Sequence, residues 1–446
     1  MKDLTTGKVG KQIFYFALPM LLGNIFQQLY NVVDTIVVGK ALGKDALAAV
    51  GASFPLIFIL ISFVVGIAMG STVVISQFYG AKQMDKVKKA IDTLNIFMFF
   101  AAVFLTFFGR WVSSHIFQMI DLPEGATKQA VDYFNVYAFG FVFFFGFQGT
   151  SAILRGLGDS KTPFYFLIIS TVTNIALDIL FVFGFGWGIK SVAAATVIAQ
   201  GVAFVAIEYY LNKYHSFLDF NPAKMKFDKE MFKKSLKIGL PAGFQQTFVS
   251  IGFLALYKIV NSFGTSTIAA YAVAMRIDAF AALPAMNFSA ALSTFTGQNI
   301  GADRMDRVVL GLKATLYMIQ AVAVTVTALA LLFANPLMHA FTNDPEVIKV
   351  GIEYIYIVSP FYLIFSSMFV VMGLLRGAGD TMFTMFMTII SLWAIRIPVS
   401  YWLSSLYGTK GIWWGIPIAW SVGATIATIY YFSGRWKTKA VVKKRG

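Results

Sequence analysis

The stretch Phe14–Gly39, FYFALPMLLGNIFQQLYNVVDTIVVG, decides how the rest of the chain is read. It is apolar and long enough to cross a bilayer, since about 20 residues at 1.5 Å rise cover the hydrocarbon core. Yet it carries an aspartate, Asp34. A carboxylate at membrane depth costs roughly 2.5–3.5 kcal/mol on insertion scales, so such residues face the protein interior and mark an ion or substrate path. On a helix, Tyr30 and Asn31 stand four and three residues before Asp34, where their side chains can reach its carboxyl group. The plainer reading is a structural aspartate near the helix end, satisfied by backbone or water.

Working outward, the whole chain has this character. Hydrophobic residues make up 58%, aromatic residues 16% and charged residues 13%, with a mean hydropathy of +0.72. Soluble domains carry about 25% charged residues. The fold class expected is all-α integral membrane, with twelve transmembrane helices at 14–39, 47–78, 90–111, 131–154, 163–184, 191–211, 236–262, 267–299, 311–333, 354–375, 382–406 and 411–433. The basic flank in MKDLTTGKVGKQIF resembles that of a signal peptide, but the apolar run behind it is too long and lacks a small-residue cleavage site. It is expected to stay as the first span.

The absence of cysteine excludes disulfides, thiolate nucleophiles and iron–sulfur clusters, and the three histidines have no metal-ligand spacing. The net charge of +15 is explained by topology. With the N-terminus inside, 26 of the 36 Lys and Arg fall on one set of alternate loops and tails. Seven (Lys40, Lys44, Arg110, Lys128, Lys190, Lys349 and Lys410) fall on the opposite set. This is the positive-inside pattern, with both termini cytoplasmic, a multi-pass protein of the cell membrane in contact with lipid, and no indication of nucleic-acid binding.

The halves match at one spacing, 221 residues: Gly43 with Gly264, Ala48 and Ala49 with Ala269 and Ala270, and Gln77, Gly80 and Ala81 with Gln298, Gly301 and Ala302. Asp85 matches Asp306, and LRGLGD (Leu154–Asp159) matches LRGAGD (Leu375–Asp380). The division expected is an N-lobe at 1–211, a cytoplasmic linker at 212–235 and a C-lobe at 236–446 with a basic tail. Six spans per half start both halves on the same side, giving two six-helix parallel repeats, an arrangement found in secondary transporters whose site lies between the halves. The glycines of the two RGxGD loops are expected to close helices, with a gating role as the alternative.

Three acids lie well inside spans: Asp34, Asp178 and Asp278. Asp34 is five residues before Gly39 and Asp178 six before Gly184, at similar depth, with Asn174 four residues before Asp178. Two carboxylates and two carboxamides at one level make an oxygen-rich cluster suited to a proton or to sodium, and composition does not choose between them. No nucleophile and base converge there, so an enzyme is not expected. In the second half, Asp278 either pairs with Arg396, Lys258 or Arg276 to keep charge neutral or attracts a cationic compound. Met286, beside Pro284, is the methionine expected at a cavity, since Met and aromatic surfaces accept varied shapes.

The GLPA run with its glutamine pair (Gly239–Gln246), GQNIGA (Gly297–Ala302), the paired RGxGD loops and the duplication together resemble the multidrug and toxic compound extrusion (MATE) transporters. The resemblance covers nearly the whole chain. It implies a V-shaped pair of six-helix lobes and alternating access. It also implies export of amphipathic, often cationic small molecules in exchange for H⁺ or Na⁺; a monomer with no cofactor beyond that ion is expected. Asp34 and Asp178 resemble the N-lobe aspartates of the branch related to DNA-damage-inducible protein F. In that branch Tyr30, Gln148, Asn174 and Thr196 stand at positions like those of the polar partners, Gln148 replacing the usual asparagine. A sodium ion, where used, is expected at Asp34, Asp178 and Asn174. Another branch uses an acid on the seventh span, where this chain has none and carries Lys258. A lipid-linked oligosaccharide flippase of the same superfamily is the alternative.

Overall fold

In a membrane the backbone has no water to bond, so apolar segments of this length close their hydrogen bonds as helices. The computed structural model describes residues 2–119, 124–218 and 220–442. In chain order their helices are α1 (Val9–Ala41), α2 (Gly43–Gly80), α3 (Met84–Met119), α4 (Glu124–Phe139), α5 (Phe141–Gly156), α6 (Lys161–Asp178), α7 (Ile189–Tyr214) and α8 (Lys229–Asn261). There follow α9 (Thr265–Gly301), α10 (Met305–Leu332), α11 (Ala334–His339), α12 (Pro345–Val358), α13 (Tyr362–Gly377), α14 (Thr381–Ile389), α15 (Ile397–Tyr407) and α16 (Thr409–Ser433).

Among the described residues, ten helical stretches are long and apolar enough to cross a membrane, and an eleventh if α4 and α5, bent by 50° at Gly140, count as one. The remaining expected span, α8, is 33 residues long but outside that apolar set. Lys229, Lys233, Lys234 and Lys237 crowd its start and Lys258 its end. Two spans are broken internally: a 3₁₀ turn at Ser359–Phe361 separates α12 from α13, and a π-helical turn at Ile390–Arg396 separates α14 from α15.

The duplication is visible in the backbone. Lys82 and Asp303, 221 apart, both take φ of 56°. Gly158 and Gly379 take φ of 81° and 94°, and each ends a helix in the same way. The Gly158 N–H donates to Arg155 O and that of Asp159 to Leu154 O, and Gly379 and Asp380 repeat this with Arg376 and Leu375. Asp159 then accepts from Lys161 N and Thr162 N at the start of α6, and Asp380 from Phe383 N at the start of α14. Within RGxGD the second glycine stops one helix and the aspartate caps the next.

The chain forms two compact units: Leu18–Gly243 make the body of the first, and Asp3–Ala17 with Phe244 onward make the second. The division drawn from sequence differs at both ends. Residues 3–17 belong with the second unit because Arg307 gathers them. Its guanidinium donates to Gly7 O (2.9 Å), Leu4 O (3.2 Å), Thr6 O (3.3 Å) and Gln12 Oε1 (2.9 Å), and its Nε donates to Asn299 Oδ1 (3.0 Å). Leu4 N donates to Gln298 Oε1 at 2.9 Å, and Leu4, Ile13 and Phe16 are buried.

Conversely, the linker and the first turns of α8 stay with the first unit. Asp228 N donates to Thr93 Oγ1 at 3.0 Å, and the Asp228 carboxylate caps α8 and meets Lys89 at 3.6 Å. The Met231 and Glu230 N–H groups, with Lys89, hold that carboxyl below the usual range. Gly66 and Gly70 of α2 face Gly239 and Gly243 of α8 so closely that a Cβ on Gly70 would stand 2.4 Å from Ser235 O. This four-residue spacing of glycines on both helices is the small-residue packing typical of membranes.

Arg307→Ala is expected to release residues 3–12, since hydrogen bonds to a charged group contribute about 1.5–3 kcal/mol. Amide exchange there should rise roughly a hundredfold while α2–α7 keep their protection. Unchanged exchange at residues 3–12 would contradict this reading of the segment.

Candidate functional site

In the first unit α1, α4, α6 and α7 bring polar groups together inside an otherwise apolar bundle. Asn174 and Asp178, one turn apart on α6, are both buried, Asp178 completely. Asp178 is the last residue of α6 proper, and Ile179–Gly184 continue it as a π-helical turn, a local widening frequent at functional sites. Thr196 on α7 links two of the expected residues: its hydroxyl lies 3.1 Å from Tyr30 Oη and accepts from Asn174 Nδ2 at 3.3 Å. The carboxylate of Asp34, half-buried on α1, acts electrostatically on Asp178, Tyr30, Tyr133 and Tyr137.

Several oxygens of this group have no donor among the described residues: Asp34 Oδ1, both oxygens of Asp178, Asn174 Oδ1 and Gln200 Oε1. Asn174 and Gln200 also line a small cavity of about 20 Å³ with Gln27, Tyr30, Ser170, Thr171 and Thr196. That is room for about one water or small ion. Buried acceptors without donors are costly in an apolar interior, so the group is built to receive something that carries a proton or a positive charge.

Two of the expected residues stand apart from the hydrogen-bonded group. The Asn31 carboxamide donates to Gln28 Oε1 at 3.3 Å rather than to Asp34. Gln148 is half-buried on α5 and has no hydrogen bond to Tyr30, Asn174 or Thr196. Sequence reasoning missed Tyr133 and Tyr137 on α4 and the cavity residues Gln27, Ser170, Thr171 and Gln200. The spacing held a signal for two of them, since Ser170 is four residues before Asn174 and Gln200 four after Thr196. Glu208 was also passed over, in the last turns of α7, where it accepts from Thr150 Oγ1.

In the second unit Asp278 is held by tyrosines. Tyr354 and Tyr362 donate their hydroxyls one to each carboxylate oxygen. Because Tyr354 belongs to α12 and Tyr362 opens α13, the carboxylate ties both sides of the 3₁₀ break at Ser359–Phe361. The ion pair read from sequence does not form: among the described residues no Lys or Arg nitrogen comes within 4.0 Å of Asp278. Arg396 closes the π-helical turn between α14 and α15, buried, with its guanidinium 5.5 Å from the Phe253 ring. Met286 is exposed on α9.

Two duplicated helical units in which polar groups are buried among membrane-crossing helices define a polytopic transporter. The MatE family pattern matches twice, at residues 19–180 and 241–402, once in each half, and the chain belongs to that family. It is 32% identical over 445 residues to a probable multidrug resistance protein, YoeA, of Bacillus subtilis, covering 98% of this chain and 96% of that protein. A probable multidrug resistance protein NorM of Thermotoga maritima is 27% identical, with 98% and 95% covered. An outward-facing multidrug resistance MATE family transporter of the MOP superfamily has the same fold, with a TM-score of 0.91 at 23% identity, covering 98% and 99% of the two chains. These relatives make the chain a multi-pass membrane protein of a multidrug transporter family.

Thr196→Val keeps the shape of the side chain but removes the hydroxyl shared by Tyr30 and Asn174. It is expected to destabilise the first unit by about 1–2 kcal/mol, with Thr196→Ser close to wild type. Thermal unfolding in detergent measures both, and equal midpoints for wild type and Thr196→Val would contradict the bonding described.

Proposed function

We propose that this transporter is a secondary active antiporter of the cell membrane, both termini cytoplasmic, exporting amphipathic, often cationic compounds in exchange for H⁺ or Na⁺. The observation that carries the proposal is the set of donor-less oxygens on Asp34, Asn174, Asp178 and Gln200 in the first unit. A proton on one carboxyl, or a sodium ion among them, supplies what those oxygens lack. Because the Asp34 carboxylate acts electrostatically on Asp178, uptake of one positive charge removes a repulsion between α1 and α6. Helix α1 has Pro19 near the point where the chain passes from one unit to the other, and a proline loosens the hydrogen bonding there. Bending of α1 is the motion by which ion binding is coupled to alternating access.

The chemistry asked of the protein is exchange of small cations and conformational change, not bond making. One proton entering down about 100 mV supplies roughly 2.3 kcal/mol, equivalent to about fiftyfold of concentration work. Asp278, fixed by two tyrosine hydroxyls, gives the second unit a rigid polar group toward which the substrate is oriented, and Met286 offers an adaptable apolar surface. Arg396, Gln148 and Asn31, whose carboxamide is taken by Gln28, are secondary in this reading.

The test is efflux of a cationic dye from proteoliposomes under an imposed proton or sodium gradient. Asp34→Asn and Asp178→Asn are each expected to lose gradient-driven transport by at least about tenfold while still binding the dye, since an amide neither gains nor loses a proton. Full transport in both variants would overturn the assignment.

A further inference from the structure

Two groups of buried polar atoms without partners, one in each unit, differ in their chemistry. Around Asp34 and Asp178 they are acceptor oxygens. Around Asp278 they are proton donors: Arg396 Nε, Trp413 Nε1 and the Tyr271 hydroxyl. The first two are donors only, and the hydroxyl has its proton to give. Arg396, Trp413 and Tyr271 are 7%, 0% and 1% exposed, so water outside the unit does not reach them.

These groups form one packed cluster. The Tyr271 ring stacks on Trp413 with centroids 5.7 Å apart, and Tyr354 stands edge-on to Trp413 at 5.0 Å. Arg396 acts by charge on Asp278 and, by charge and a side-chain hydrogen bond to the hydroxyl oxygen, on Tyr271, which leaves the Tyr271 hydroxyl proton and the Arg396 Nε proton to give. Asp278 does not relieve the donors, because each of its oxygens already takes a tyrosine hydroxyl. Its charge offsets that of Arg396, so the cluster is neutral overall yet has more protons to donate than oxygens to accept them. In a site of that kind an anion meets fixed donors without an opposing net charge, and the surrounding aromatic walls suit a weakly hydrated ion.

We propose that the second unit binds a small monovalent anion of the halide class at Arg396, Trp413 and Tyr271. The anion accepts from the guanidinium Nε, the indole N–H and the Tyr271 hydroxyl, and so keeps Arg396 in place beside the Asp278–Tyr354–Tyr362 group. The site is independent of the coupling ion proposed for the first unit, which calls for a cation and different residues.

The test uses the purified full chain in detergent, with thermal unfolding and tryptophan fluorescence followed as sodium gluconate is replaced by sodium chloride, choline chloride, sodium bromide or sodium acetate. The expected result is a saturable rise in midpoint with chloride and bromide, equal for the sodium and choline salts. Tyr271→Phe keeps the ring and Trp413→Phe replaces the indole with a smaller aromatic ring; each removes one donor and should weaken the chloride midpoint roughly tenfold, with normal dye binding. No chloride dependence in the wild type, a response that follows sodium, a response to acetate alone, or a wild-type chloride midpoint in both variants would each overturn the proposal. A chloride-dependent midpoint in a protein that fails the Asp34 and Asp178 efflux test would leave this site standing and remove the other.

Discussion

Everything in this protein follows from the hydrocarbon around it, which offers polar groups no hydrogen bond. Each buried polar atom must therefore be met from within the unit or by what the unit binds. Most are met internally. Arg376 donates to Ser289 Oγ at 2.8 Å, Ser391 to Ala419 O, and Ser400 to Ile412 O. Against that background the unmet oxygens of Asp34, Asp178, Asn174 and Gln200 stand out as a group of acceptors gathered in one bundle, and departures of that kind are where function is expected.

The same constraint shapes the helices that carry the site. Asp178 ends a regular helix and begins a π-helical turn, and Arg396 ends the π-helical turn of the corresponding span in the second half. A buried charge and a widened turn thus occur together twice, with opposite sign of charge. The duplication preserved the helix ends, as the paired positive φ values and RGxGD closures record. It did not preserve the interior chemistry, where the first unit became rich in acceptors and the second in donors.

Much of this was legible in the sequence. Apolar length and the alternating basic loops gave the membrane class, and the 221-residue offset gave two repeats before any coordinates. Asp34 and Asp178 were placed at one depth by counting back from Gly39 and Gly184, and in the structure the Asp34 carboxylate is within electrostatic reach of Asp178. What sequence did not carry is which helix lies beside which. Tyr133 and Tyr137 join the aspartates only because α4 packs where it does, and Asp278 meets tyrosines from α12 and α13 rather than the arginine that charge matching suggested. The placement of residues 3–17 with the second unit was equally hidden, because a short segment ahead of the first span does not announce which unit will bury it. Arg307, which holds it, looked from its spacing like one more topological cation.

The central claim is that the buried carboxyls of the first unit take up and give up the coupling ion. The most direct measurement is the infrared difference spectrum of the protein between acidic and basic buffer, with and without sodium, for wild type and the Asp34→Asn, Asp178→Asn double variant. The account predicts a protonated-carboxyl band in the wild type that sodium or base removes and that the double variant lacks. The same band, with the same response, in the double variant would contradict it.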